Sequence, residues 1–263
     1  MKLKRFGAAV AAMTLAVTAG CGSNESATES TTLTKANFAS AVTKAQSEVK
    51  TAHVEADISA QGQKFTMAGD VDGTNGVAAD FTMSGAALGG NARFMLLDKV
   101  MYLQIPGLTP DDKFVKFDLR NSNAPGAEML EQMLNQVNQL DPSKSAQMFK
   151  AITSLKKQGT AEVDGVQTTH YAVTVDTQKA LQALGMGGAA MPGQMPKTIE
   201  QEVWLDDRNL IRRMRMKQPN VTMDITYSQW GEPVDITAPP ASQTTDLEQM
   251  MSQMGGSPSG SLG

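Results

Sequence analysis

Polar and apolar positions change period several times along the chain, and each change marks an element. Residues 6–17 are a nearly unbroken apolar run behind Lys2, Lys4 and Arg5. The run is too short to span a bilayer, and with the small residues after it has the order of a secretory signal over residues 1–20. Residues 22–33 are polar and aperiodic, which predicts a flexible tether over 21–33. From Thr34, a good N-cap, Phe38, Val42, Ala45 and Val49 recur every three or four residues and predict a helix to Lys50 with one buried face. The period then drops to two. Val54, Ala56 and Ile58 alternate with polar neighbours, and alternation returns in Phe65-Met67-Gly69-Val71, Val77-Ala79-Phe81-Met83, Ala92-Phe94-Leu96 and Met101-Leu103-Ile105, with Phe114 to Phe117 after them. Half-buried strands read this way. Gln61-Gly62, Asp72-Gly73, Asn75-Gly76 and Gly89-Gly90 punctuate them, which favours hairpins over crossover helices and so an antiparallel meander.

Helical spacing returns at mid-chain. Met129, Leu130, Met133, Leu134, Val137 and Leu140 form one stripe, and Asp141-Pro142 breaks it before a second helix carrying Met148, Phe149, Ile152 and Leu155. Two such helices are expected against the concave face of a curved sheet. Strands resume over 160–163, turn at Asp164-Gly165 and continue to Val175, before a short helix with Ala180, Leu181 and Leu184. Residues 185–196 read as a mobile loop bearing Met186, Met191 and Met195. In the next two strands, a two-residue turn at Asp207-Arg208 sets Glu202 against Arg213, Glu200 against Arg215 and Leu205 against Leu210. Val221, Met223, Ile225 and Tyr227 make a last strand. The folded domain is expected over 34–240, with 241–263 a disordered tail rich in Pro, Ser and Gly.

Composition narrows the chemistry. The leader takes three positive charges and no negative one, so the net charge of −4 becomes −7 in what remains. Such a surface has no bias toward nucleic acid or anionic headgroups. Cys21 is the only cysteine, which leaves no internal disulfide to form. Aromatic residues are 5% of the chain, whereas methionine occurs 18 times, and a flexible thioether suits an adaptable apolar interior. Met214 and Met216 could offer soft ligands to copper, but their strand positions are explained by packing, and no metal or cofactor is expected. His53 and His170, the only histidines, lie in strand patterns with no nucleophile elbow or metal motif around them, so no catalytic residue is assigned. Gly185-Met186-Gly187-Gly188-Ala189-Ala190 matches a loose dinucleotide fingerprint, but a helix precedes it and prolines follow, the reverse of what a phosphate cradle needs. Arg212 stands apart from Arg213, Arg215 and Lys217 because it shares a strand face with Leu210, Met214 and Met216; it is a candidate rim cation for an anionic group.

Two stretches carry a resemblance. Leu15-Ala16-Val17-Thr18-Ala19-Gly20-Cys21 is similar to the lipobox of bacterial lipoproteins, with Thr18 where leucine is usual. It implies a diacylglycerol thioether on Cys21, acyl chains such as palmitate, and a site on the extracytoplasmic face of the cell membrane. Two chains are what stable anchoring takes. Glu202 to Arg213, then Tyr227-Ser228-Gln229-Trp230-Gly231-Glu232-Pro233-Val234-Asp235-Ile236 and Ala238-Pro239-Pro240, resemble the LolA/LppX-type lipoproteins of actinobacteria, the LppX/LprA/LprF/LprG group. That resemblance implies an α+β fold, a highly curved antiparallel half-barrel with helices on its concave face, binding a lipid or glycolipid as a carrier or chaperone without catalysis. The cavity candidates it implies are Phe65, Met67, Phe81, Met83, Phe94, Leu96, Met101, Leu103, Met133, Val137 and Met214. The protein would be a monomer at the membrane, with a transporter or other envelope protein as partner. The rival reading is an interaction or sensor lipoprotein of the same fold with a filled core, and interior packing separates the two.

Overall fold

The structure is a computed structural model that describes residues 33–110, 113–120, 146–183, 196–247 and 249. These belong to one compact unit, Leu33–Gly263. Helix α1 (Phe38–Val49) comes first, followed by β1 (Thr51–Ala60), β2 (Gln63–Asp72), β3 (Ala78–Gly85), β4 (Gly90–Leu97), β5 (Val100–Gln104) and β6 (Phe114–Asp118). A 3-10 turn at Ala146–Ala151 leads into β7 (Ile152–Val163), β8 (Val166–Asp176), α2 (Thr177–Ala183), β9 (Thr198–Leu205), β10 (Ile211–Gln218), β11 (Val221–Ser228) and β12 (Thr244–Asp246). The strands form a single curled, open sheet in the order β12-β6-β5-β4-β3-β2-β1-β11-β10-β9-β8-β7. Every pairing is antiparallel except β12 on β6.

Short turns explain the meander. Gln61-Gly62 and Asp164-Gly165 each place two successive residues at positive φ, the mirror-image turn whose twist matches that of the strands it joins. At two places on one face a glycine lets the sheet close up. A Cβ on Gly69 would lie 2.7 Å from the Phe81 ring, and one on Gly85 would lie 2.6 Å from the Phe65 ring, so each aromatic covers its cross-strand glycine.

Three expectations need correction. The second mid-chain helix is formed only in part: Met148 and Phe149 lie in the 3-10 turn Ala146–Ala151, whereas Ile152 and Leu155 belong to the start of β7. These residues are three apart, which in a regular strand means opposite faces; a bulge between Ile152 and Ser154 returns both to one face, opposite Val175 and Val173. A bulge thus imitates helical spacing. The β9–β10 register also differs from expectation. Asp206 Oδ1 accepts from the backbone N–H of Arg208 at 3.0 Å and of Leu210 at 2.9 Å, which lengthens the turn, and a further irregularity lies between Ile211 and Arg213. Arg215, not Arg213, therefore faces Glu202, and Leu205 faces Ile211. Finally, order does not stop at Pro240. Thr244–Asp246 add a parallel strand to β6, because the β6 edge offers unpaired backbone groups to the returning chain. The helix expected over 127–140 and the loop over 185–195 lie outside the described residues.

Candidate functional site

Alternation along each strand, carried across by the register, gives the sheet one apolar face and one polar face. The apolar face is built of rows that run across the strands. The first row, Met101-Leu96-Ala79-Val71-Ala52, is at most 3% exposed at every position. Phe81, Val54 and Tyr227 continue the packing in the next row, and burial pushes the Tyr227 hydroxyl up to about 12. Helix α1 lies against this core: Phe38, 0% exposed, meets Phe149 and Tyr171 edge to face at 5.1 and 5.4 Å.

Toward the β1–β2 turn the packing thins. The third row contains Met83, Met67, Ala56, Ile225 and Met214, and the fourth contains Phe65, Ile58, Met223 and Met216. Apart from Ala56, all of these are only half-buried. Gln201 continues the fourth row toward Val173 on β8; it is 4% exposed and its Nε2 has no hydrogen-bond partner. The same face is therefore filled at one end and incompletely covered at the other, where five of the eight half-buried side chains named are unbranched methionines that can adapt to a contact.

Nine of the sequence's cavity candidates, Phe65, Met67, Phe81, Met83, Phe94, Leu96, Met101, Leu103 and Met214, share this face. They do not share an environment. Phe81, Leu96 and Met101 are buried in the core cluster, whereas the other six are half-buried. Ile58, Met216, Met223 and Ile225 were absent from that set, although alternation in β1, β10 and β11 places them beside Phe65 and Met67. Cys21, Met133, Val137, Met186, Met191 and Met195 lie outside the described residues. Arg212 is not a rim cation. Its Nε sits 3.0 Å from Asp206 Oδ2, whose side chain is 2% exposed, so it neutralises a buried turn carboxylate.

The same strand ends border a groove of about 1200 Å³ whose lining draws on both faces, with Lys64, Lys156, Glu200, Glu202, Arg215 and Asp224 from the polar one and Phe65, Ile58, Met216 and Met223 from the fourth apolar row. Of the sequence's cavity candidates only Phe65 reaches its lining. The groove is braced by a cross-strand ladder. His170 stacks on Trp204 at 4.3 Å between ring centroids, Arg213 and Arg215 lie over the same ring at 5.4 and 5.5 Å, and Asp224 takes both Arg213 and Arg215. Those two guanidiniums hold the Asp224 carboxyl below its ordinary value, Arg213 contributing first. His53 Nδ1 lies 2.6 Å from Asp70 Oδ1, and neither histidine has a hydroxyl or thiol hydrogen-bonded to it among the described residues. Nor do the described residues include a His, Cys, Asp or Glu cluster able to hold a metal ion.

No family model matches the chain. It is 26% identical over 159 residues to an uncharacterized 31.2 kDa protein of Streptomyces griseus, covering 55% of this chain and 52% of that one. It is also 26% identical over 148 residues to a Streptomyces coelicolor protein whose name assigns it as a lipoprotein, covering 54% and 44%. The chain thus spans about half the length of the curated relatives it matches. Among solved structures, LprF from Mycobacterium bovis is similar with a TM-score of 0.56 at 16% identity, over 79% of this chain and 97% of LprF. The Mycobacterium tuberculosis lipoprotein LppX is similar with a TM-score of 0.53 at 17% identity, over 77% of this chain and 98% of LppX. An open, curled, almost wholly antiparallel sheet with a helix on its apolar face is thus the architecture this chain shares with LprF and LppX, the LolA-like half-barrel.

Proposed function

We propose that this protein is an envelope lipoprotein, held to the membrane by acyl chains on Cys21, that takes up the hydrocarbon part of a lipid or glycolipid and carries it without chemical change. The observation that carries the reading is the incomplete covering of one end of the apolar face, where Phe65, Ile58, Met223 and Met216 stand half-buried in adjacent strands. Exposed apolar surface of this kind attracts hydrocarbon at about 25 cal/mol per Å² removed from water. Contacts among methionine and aliphatic side chains select by shape and length, so the choice of acyl chain should be broad. No helix among the described residues is long and apolar enough to cross a membrane, and in this reading the anchor is the modified cysteine.

The filled first row supports the second reading, a non-catalytic interaction lipoprotein with a closed core, for that end of the sheet. The two readings part at the fourth row. Native mass spectrometry of the protein purified from its own host, followed by lipid extraction, tests the carrier. A reproducible adduct with the mass of a lipid, separable from the covalent modification on Cys21, is expected. Reproducible absence of extractable lipid would favour the closed-core reading.

A further inference from the structure

Positive charge is not spread evenly over the described residues. All the ion pairs among the described residues use arginine or histidine, and no described lysine pairs with a carboxylate. Of the thirteen described lysines, at least six lie at the end of the sheet bounded by the β1–β2 and β10–β11 turns. Lys64 and Lys217 lie next to those turns, Lys150 and Lys197 immediately precede β7 and β9, and Lys179 is in α2 just after β8. Lys35 joins them, its Nζ 3.4 Å from the Thr153 carbonyl oxygen at the start of β7. All six are exposed. Among the described residues, three carboxylates share this end without an arginine partner, Asp57, Asp176 and Glu200, and Asp176 is occupied in accepting from the Lys179 backbone N–H at 2.9 Å. The opposite end holds the acidic turns, with Asp72, Asp98, Asp164, Asp207 and Glu232 set against Lys50, Lys99, Arg120 and Arg208. The net charge of the chain averages over this polarity and conceals it.

Three features converge on the lysine end. The described chain enters there, because Leu33 and Lys35 precede α1 and α1 runs away toward Thr51. The fourth apolar row is also there. Between Cys21 and Leu33 the chain can span at most about 40 Å. We infer that the lysine end is a docking surface for an anionic phospholipid bilayer, which turns the half-buried end of the apolar face toward the membrane. Lysine fits this task because an ammonium on a flexible stem can follow a fluid layer of phosphates without needing a fixed partner. Cargo could then pass between bilayer and protein without crossing water. The inference rests on the anchored-carrier reading above, but the attraction it names exists without acyl chains or cargo.

The test uses the unacylated chain from Gly22 onward, which keeps the whole compact unit from Leu33. Its co-flotation is measured with vesicles of phosphatidylcholine alone and of phosphatidylcholine with phosphatidylglycerol. Binding is expected to the anionic vesicles only, to fall as salt is raised, and to drop by more than about tenfold in the triple variant Lys64→Glu, Lys150→Glu, Lys197→Glu. A second variant, Lys50→Glu with Lys99→Glu, reverses charge at the far end and should bind as the parent does. Thermal unfolding of both variants checks that they fold. Equal binding to both vesicle types, equal loss in the two variants, or no binding at low salt would overturn the inference, the last pointing to an acidic protein as the partner instead. Failure of the carrier reading would appear elsewhere, as protein that floats with anionic vesicles yet yields no extractable lipid.

Discussion

The first and fourth rows of the apolar face differ although alternation writes them in the same way. Met101-Leu96-Ala79-Val71-Ala52 is closed, and Phe65-Ile58-Met223-Met216 is half open. Residue type does not separate them, since both contain methionine and aliphatic side chains. What separates them is what lies over them. The first row belongs to the core cluster that includes Phe38, Val42 and Phe149. Val173 and Leu155, in line with the fourth row on β8 and β7, are respectively buried in that cluster and packed against it, whereas the stretch from β2 to β10 is not. One continuous apolar face can therefore serve as structure at one end and as contact surface at the other.

If that division is right, substitutions at the two ends should part in effect. The largest loss is expected from Phe38→Ala, which empties a fully buried site between two aromatic rings and should cost about 3–5 kcal/mol in urea unfolding. Asp206→Ala comes next. It removes the carboxylate that holds two turn amides and leaves Arg212 without its partner, at about 2–3 kcal/mol by the same measurement. At the uncovered end, Met216→Ala or Met223→Ala should cost less than about 1 kcal/mol because little packing is lost, yet should weaken binding of a fluorescent fatty acid several-fold.

The smallest effect sharpens the comparison from behind, on the polar side of β11. Asp224 has a depressed folded value, from an ordinary 3.8, so its pairing with Arg213 and Arg215 contributes stability above the unfolded value. That contribution disappears as pH falls through the lower folded value. Asp224→Asn should cost under about 1 kcal/mol at neutral pH and should flatten the stability profile below pH ~4, read as the urea midpoint against pH.

Much of this was legible in the residues. Alternation in β1 to β5 fixes the strands and their apolar side, and Asp164-Gly165 marks its hairpin without ambiguity. Where reading failed, a local device had broken the period. The bulge at the start of β7 made Ile152 and Leu155 look helical, and the side chain of Asp206 lengthened a turn that Asp207-Arg208 alone makes look like two residues. Arg212 was misjudged for the same reason, since its partner arrives through that turn. The parallel strand at Thr244–Asp246 is too short to show a period at all. Burial was the least legible property. Met101 and Met83 follow the same alternation, and only the elements packed over them decide that one is 0% exposed and the other half-buried.

The most direct test of the divided face is a map of photocrosslinks from a fatty acid carrying a diazirine near its methyl end, read by peptide mass spectrometry. The account predicts adducts on the strand ends that carry Phe65, Ile58, Met216 and Met223, and none on Leu96, Ala79 or Met101. Adducts spread equally over both ends, or confined to the polar face around Trp204, would contradict it.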